Sequence, residues 1–379
     1  MPEEHSLSLL DYLAEIQDIR NNQGKEHSLT DILTIALLAM LCGADDFVGM
    51  QEFGTAREPW LKKFLKLPNG IPSHDTFGRV FSLIDHEQFE KCFTEWAKGV
   101  FFALGLGGTI AIDGKTSRRS HDRGRKIPAL HMVSAFSTDL GLALGQVKTS
   151  EKSNEITAIP LLLEKLALKG CIVTMDAMGC QREIAAKIVE RKGDYILALK
   201  GNQGELHEAV RDHFEAAVKE DFRGFPHDFQ QTVDKGHGRI ETRSCWVVKD
   251  VRWLPRVGDW PGLNMIGMVE AKRETGGQTS VERRYYIGSI GENAKLFAKT
   301  IRDHWAIENS LHWVLDVAFR EDESRIRLRN AAANMAVLRH MTLNVLRSEK
   351  GCKRGIKVKR NKAGWDESYL LKLIGLTGL

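Results

Sequence analysis

His304, Glu308, His312 and Asp316 recur every four positions in the stretch HWAIENSLHWVLDVAFREDESRIR (304–327). On a helix, side chains four apart stack on one face. Ile307, Leu311, Val314, Leu315 and Ala318 then form the opposite, apolar stripe. Such a polar row is either a solvated face or a set of metal ligands and proton carriers. Two aspartates bear on the choice. Asp113 ends the apolar run GTIAID (108–113), and Asp176 ends the apolar part of CIVTMDAMG (171–179). In open sheets with parallel strands, ligands gather at the carboxyl ends of strands. A carboxylate beside Ile112 or Met175 is costly unless it is paired or metal-bound. If the two strands are adjacent, the aspartates share a cation, and Glu308 on a helix laid across that edge is a third oxygen donor. Mg²⁺ suits such a set, because it takes few carboxylates and keeps waters and phosphate oxygens. Each aspartate alone also fits ordinary turn chemistry.

The elements that must position these residues follow from periodicity. Residues 1–105 read as helical. Ser28 or Thr30 caps the apolar helix of ILTIALLAMLCGA (32–44), Pro59 breaks the next helix, and Ser73 caps another. Capped helices joined by tight turns fit either a helix-turn-helix-like DNA reader or a plain helical bundle. From residue 106 to 221 the order is strand, hairpin, helix, strand, helix, strand, helix. That predicts an α/β fold with a mixed sheet flanked by helices. Residues 222–290 carry hairpin signals and read as a β-rich insertion. A long helix beginning near Glu292 then carries Glu308 within residues 291–347, and 348–379 form a basic tail of weak pattern.

With 379 residues, 42% apolar and 27% charged, the chain is globular and long enough for two or three domains. Its net charge of +4 does not announce a nucleic-acid binder, but the distribution is uneven. The segment 113–126 holds six Lys/Arg against two Asp, and 347–362 holds eight against one Glu. Both are candidates for polyanion contact or for solvated surface. Six cysteines without a C-x-x-C pair indicate reduced thiols rather than zinc or disulfides. The acidic start lacks the basic region of a signal peptide, and the longest apolar run is short of a membrane span. The expectation is a cytoplasmic protein without a membrane partner.

AIDGKTSRRS, SEKSNEITAIPLLLEKL, TMDAMGCQ, YILALKGNQ, GHGRIETR and DHWAIENSLHWVLDVAFREDESRIR occur here in one order. Together they resemble the H-repeat-associated group of bacterial insertion-sequence DDE transposases. LTDILTIALLAMLCGADDF and FLKLPNGIPSHDTFGRVFSLID resemble the helical region that precedes the catalytic part of that group. The resemblance runs from about residue 10 to 347. It implies an RNase H-like catalytic core whose acidic triad is Asp113, Asp176 and Glu308. Broader relatives carry Tyr, Arg and Lys around the glutamate where this chain has Ile301, His304 and Leu315, so His304 stands in the arginine's place toward phosphate.

The expected chemistry is phosphoryl transfer on double-stranded DNA, both the element's terminal inverted repeats and the target. Two Mg²⁺ ions about 4 Å apart, with Mn²⁺ as a substitute, would be held by the three acids. Water would nick the element end, and the freed 3′-hydroxyl would attack the target. Lys115, Arg118, Arg119, Lys200, Asn202, Arg239, Arg243, His304, Arg325 and Arg327 are the candidate phosphate contacts. Asp316 is expected to pair with Arg320, Cys180 to be inert packing, and Trp305 and Trp313 to lie in the core or against the sheet. A homodimer or higher multimer on DNA follows from the resemblance. The competing readings are a metal-dependent nuclease that cuts without joining, and a domesticated or inactive remnant that binds DNA.

Overall fold

The computed structural model describes residues 8–20, 25–105, 107–122, 124–149, 155–236 and 238–375. Five helices come first: α1 (Leu9–Ala14), α2 (Leu29–Leu41), α3 (Phe47–Leu61), α4 (His74–Leu83) and α5 (His86–Leu104). Ser28 caps α2 by accepting the Asp31 N–H, and nearly every residue of α2 is buried. Ser73 caps α4 in the same way through Thr76. Pro59 does not break α3, contrary to expectation. It lies in the last turn, where the helix continues only through Trp60 and Leu61, both buried. A proline there removes one hydrogen bond, and the packing of those two side chains offsets the loss.

The strands β1 (Gly108–Thr116), β2 (His131–Ser137) and β3 (Leu142–Lys148) form an antiparallel meander. After α6 (Glu155–Lys165), strand β4 (Cys171–Met175) pairs parallel with β1. Helix α7 (Arg182–Glu190) leads to β5 (Asp194–Leu199), which is parallel to β4. The order β3-β2-β1-β4-β5, with three antiparallel strands and two parallel ones, is an RNase H-like sheet. Helix α8 (Gly204–Lys219) follows. Strands β6 (Asp228–Gly236), β7 (Arg239–Val248), β8 (Met265–Thr275) and β9 (Gln278–Gly288) come next. They do not stand apart. Antiparallel pairing of β9 with β5 makes one nine-stranded sheet among the described residues.

Helix α9 (Ala294–His304) then crosses the sheet over β1 and β4. It passes through a π-helical turn at Ile307–His312 into α10 (Trp313–Phe319). Helix α11 (Ala331–Ser348) is buried along nearly its whole length. Its Asn344 side chain accepts the Ala143 N–H at 2.9 Å and donates to the Ala143 carbonyl at 2.7 Å, which ties it to β3. One continuous core joins α2 and α5 to α11 and to Ile307, Leu311 and Leu315. The N-terminal helices therefore brace the helix that carries Glu308.

The end of the chain corrects the reading of an unpatterned tail. It forms α12 (Ile356–Trp365) and α13 (Glu367–Leu373). Lys359 and Arg360 are buried: Lys359 donates to the Leu346 carbonyl at 2.7 Å, and Arg360 Nε to the Met40 carbonyl at 2.9 Å. Cations at the carbonyl ends of α11 and α2 satisfy groups that helices leave unpaired. Among the described residues, no helix is long and apolar enough to cross a membrane.

Candidate active site

Asp113 is not the last residue of its strand, since β1 runs on to Thr116. The register still brings the two aspartates together. Ile112 pairs with Met175 across the parallel β1–β4 ladder, and each aspartate is the next residue. Alternation puts Asp113 and Lys115 on the face of Ala111, toward α11, while Ile110 and Ile112 face the other core.

The helix above is tethered to both acids. His304 Nε2 is 3.6 Å from Asp176 Oδ1, and its Nδ1 is 3.0 Å from Thr174 Oγ1. His312 Nδ1 is 3.5 Å from Asp113 Oδ2. Glu308 lies between these histidines, four residues from each, and is exposed. The π-turn begins beside it: the Trp313 N–H reaches the Glu308 carbonyl, a five-residue bond. Such bulges are frequent at functional sites. Among the described residues, no three His, Cys, Asp or Glu side chains stand close enough to hold an ion. The two aspartates are thus adjacent, and Glu308 does not close on them.

The electrostatics follow from this packing. Burial pushes the Asp113 carboxyl up to about 6, and the nearby Glu155 and Asp176 carboxylates add to it. The Gly114 N–H and His304 work the other way. His304 holds Asp176 below the usual carboxylate range, helped by Lys200 and Arg284 and opposed by partial burial. Burial drives His312 down to about 3, with Lys115 and His340 adding to it. His312 is therefore neutral, and its contact with Asp113 is not an ion pair. Asp113 is part-buried and Asp176 exposed; their oxygens are hard donors that suit a divalent cation, which would offset the repulsion between them.

Glu155 and His131 escaped the reading of the sequence. Glu155 Oε1 is 3.0 Å from His131 Nε2, and His131 Nδ1 is 2.7 Å from Thr116 Oγ1. A Cβ at Gly114 would lie 2.1 Å from Glu155 Oε1 and 2.6 Å from His131 Nε2. The glycine after Asp113 makes room for this pair. The only sequence signal for Glu155 was its place in the first turn of a helix.

The candidate phosphate contacts separate into groups. Arg327 comes up against the loop of Arg118 and Arg119, its Nε donating to the Arg119 carbonyl at 3.2 Å. Arg118, Arg119 and Arg325 are exposed, Arg118 by 83% of its side chain. Lys200 is exposed near Asp176. Asn202 is committed to the protein, donating to the Ala177 carbonyl at 2.7 Å. Arg239 and Arg243 share Glu241 at 3.4 and 3.0 Å, so their charge is met in part within the protein. Lys115 departs furthest. Its ammonium binds Asp316 at 2.8 Å, so Asp316 does not take Arg320, which pairs with Glu323. Cys180 is buried, its thiol pushed up to about 12 by burial. Trp305 and Trp313 are 41% and 60% exposed rather than core, with Arg284 over the Trp305 ring at 5.4 Å.

The family model described as "Transposase DDE domain" matches residues 78–345, and the one described as "DDE_Tnp_1-associated" matches 10–97. The chain is 46% identical over 374 residues to "Putative transposase YncI" of Escherichia coli O157:H7, covering 97% of this chain and 94% of the other. It is 41% identical over 377 residues to "H repeat-associated putative transposase YhhI" of Escherichia coli K12, covering 98% of each. A cryo-EM structure of the piggyBac transposase synaptic complex with hairpin DNA is matched at a TM-score of 0.43 and 11% identity. That match covers 98% of this chain and 79% of the other, a likeness too loose for anything to rest on it. The family model spans most of the chain, from the N-terminal helices through α11, and the chain belongs to the transposases with a DDE domain.

Proposed function

We propose that the protein is a DNA transposase that cuts and joins DNA strands by divalent-metal-dependent phosphoryl transfer, with Asp113, Asp176 and Glu308 as its acidic set. The observation that supports this most is the register: two aspartates follow directly on paired residues of adjacent parallel strands. The helix that carries Glu308 is tethered above them at His304 and His312. Asp113 and Asp176 would hold Mg²⁺, two ions per site with Mn²⁺ as a substitute, and Glu308 would join them. Bound there, the ions would polarise the phosphate and lower the pKa of the attacking hydroxyl or water.

The chain's own residues do the rest. His304, fixed by Thr174, orients the Asp176 carboxylate. Neutral His312 shields one side of Asp113 without competing for charge. Arg118, Arg119, Arg325 and Arg327 hold the DNA backbone at the rim, and Lys200 holds it beside Asp176. The same acids serve nicking of the terminal inverted repeat and attack on target DNA, because only the nucleophile changes from water to a 3′-hydroxyl. No covalent enzyme intermediate is required. Joining two ends calls for a homodimer or larger assembly on DNA.

The test is cleavage and joining of labelled element-end DNA in Mg²⁺ or Mn²⁺. Asp113→Asn, Asp176→Asn and Glu308→Gln are each expected to bind DNA normally and to lose cleavage by about 10²–10³-fold, the scale of several kcal/mol of lost charge stabilisation. Normal cleavage by Glu308→Gln would remove Glu308 from the set. Cleavage without joining by the wild type would make the protein a nuclease.

A further inference from the structure

Lys115 stands two residues beyond Asp113, so the two side chains leave the same face of β1. Only 13% of the lysine side chain is exposed. Its ammonium lies 2.8 and 3.0 Å from the two Asp316 oxygens, 3.2 Å from Asp322 Oδ1 and 3.8 Å from Glu321 Oε2. An ammonium has three N–H donors, and these carboxylates occupy them. Little is left for a phosphate.

The origin of the carboxylates is what gives the cluster meaning. Asp316 lies on α10, eight residues beyond Glu308, and Glu321 and Asp322 lie in the turn that ends this helix. Glu321 is buried and faces Arg339 of α11 at 3.7 Å. Asp322 also accepts the Arg118 backbone N–H at 3.3 Å and pairs with Arg118 Nε at 3.2 Å. One ammonium thus links the strand of Asp113, the helix of Glu308 and the loop of Arg118. The helix needs such a link, because the π-turn at Ile307–His312 interrupts its regular winding beside Glu308. His304 fixes the stretch before that turn, and Lys115 fixes the stretch after it.

We infer that Lys115 is a positioning residue, which holds the Glu308 helix against β1 at the spacing from which the acids take up divalent ions. The inference rests on the proposed metal-dependent reaction. Removing the ammonium takes from Asp316 the cation it binds and leaves Glu321 and Asp322 with Arg339 and the exposed Arg118 to offset them, and the end of α10 is released from β1.

The experiment compares the full-length wild type with Lys115→Met, Lys115→Arg, Asp322→Asn and Asp113→Asn. Three quantities are measured: Mn²⁺ binding without DNA by electron paramagnetic resonance, cleavage against Mg²⁺ concentration, and DNA affinity against salt. Lys115→Met is expected to weaken Mn²⁺ binding and raise the Mg²⁺ half-saturation by about tenfold or more, the scale of losing a group that orients a ligand. Its DNA affinity and salt slope should match the wild type. Lys115→Arg should recover most of the loss, and Asp322→Asn, which removes one contact, should show a smaller shift in the same direction. Wild-type metal dependence in Lys115→Met overturns the inference. So does weaker DNA binding with a salt slope reduced by about one, the mark of a phosphate contact. If Lys115→Met does not fold, unchanged metal dependence in Asp322→Asn overturns it. Asp113→Asn separates the two levels: if it keeps wild-type Mn²⁺ binding the acidic site itself is wrong, whereas failure confined to the Lys115 variants leaves that site standing.

Discussion

Two segments of similar Lys/Arg density put their cations to different uses in this fold. The loop after Asp113 keeps Arg118 and Arg119 on the surface, where Arg327 joins them. In the segment 347–362, Lys350, Lys353, Arg354 and Lys357 stay exposed, but Arg347, Lys359 and Arg360 turn inward. Arg347 is half-buried and donates to the Gly141 carbonyl at 2.6 Å, while Lys359 and Arg360 reach the ends of α11 and α2. The difference lies in what each cation can reach. Three buried helices or strands end near the second segment with carbonyls to satisfy, and a long side chain can bury its stem while doing so. Near the first, Lys115 and Arg118 meet the carboxylates of Asp316, Glu321 and Asp322, while Arg119 is exposed. Charge density therefore does not distinguish a nucleic-acid surface from internal capping; the supply of orphan carbonyls does.

Removing a capping cation should have the largest effect. Arg360 donates to Met40 and Ala44 carbonyls, pairs with Asp45 at 2.8 Å and stacks on Phe319 at 4.3 Å. Arg360→Ala is expected to cost about 3 kcal/mol, because buried acceptors lose their donor and packing is lost with it. A shift in the denaturant midpoint at unchanged slope would register this, with DNA affinity unaltered. A fall in DNA affinity without loss of stability would return the segment to the nucleic-acid surface.

Glu349 gives the next largest effect and a pH signature. Burial raises its pKa, but the Cys352 and Gly351 N–H groups, the Lys372 ammonium and the Tyr369 hydroxyl outweigh burial and bring it down to about 2. A carboxylate depressed in the folded state contributes stability that is complete above its usual value near 4.5. That stability is lost as pH falls through about 2. Glu349→Gln is expected to cost about 2–3 kcal/mol at neutral pH and to flatten the stability profile between those values. An acid titration of the unfolding midpoint reads both.

The legible parts of this molecule were those set by local pattern. Short apolar runs gave β1, β4 and β5, and capping residues such as Ser28 and Ser73 gave helix starts. The apolar stripe at Ile307, Leu311 and Leu315 gave the buried face of the Glu308 helix, and Trp305 and Trp313 fall off that stripe, which is why they are exposed. What pattern could not give depends on long-range pairing. The in-register placement of Asp113 and Asp176 is a property of two strands brought together across α6. Lys115 reads as a free cation until a turn some two hundred residues later supplies its carboxylates. The π-turn has no local signature at all, so a four-residue row taken as regular helix was the natural reading. Glu155 was hidden for a similar reason, since only the folded sheet brings His131 and Gly114 to it.

The smallest expected effect sharpens the comparison from the other side. Arg118 is 83% exposed, and its pair with Asp322 at 3.2 Å is a surface contact worth about 0–1 kcal/mol. Arg118→Ala and Arg119→Ala should therefore leave stability within about 0.5 kcal/mol of wild type. Their effect should appear in DNA binding alone, as a loss of affinity roughly uniform across sequences and a salt slope reduced by about one for each contact removed. Such contacts position the duplex without reading it, so element-end and unrelated DNA should weaken alike. A loss confined to element-end DNA would make this rim a reader of sequence, and an unchanged salt slope would leave Arg118 and Arg119 without a phosphate to bind.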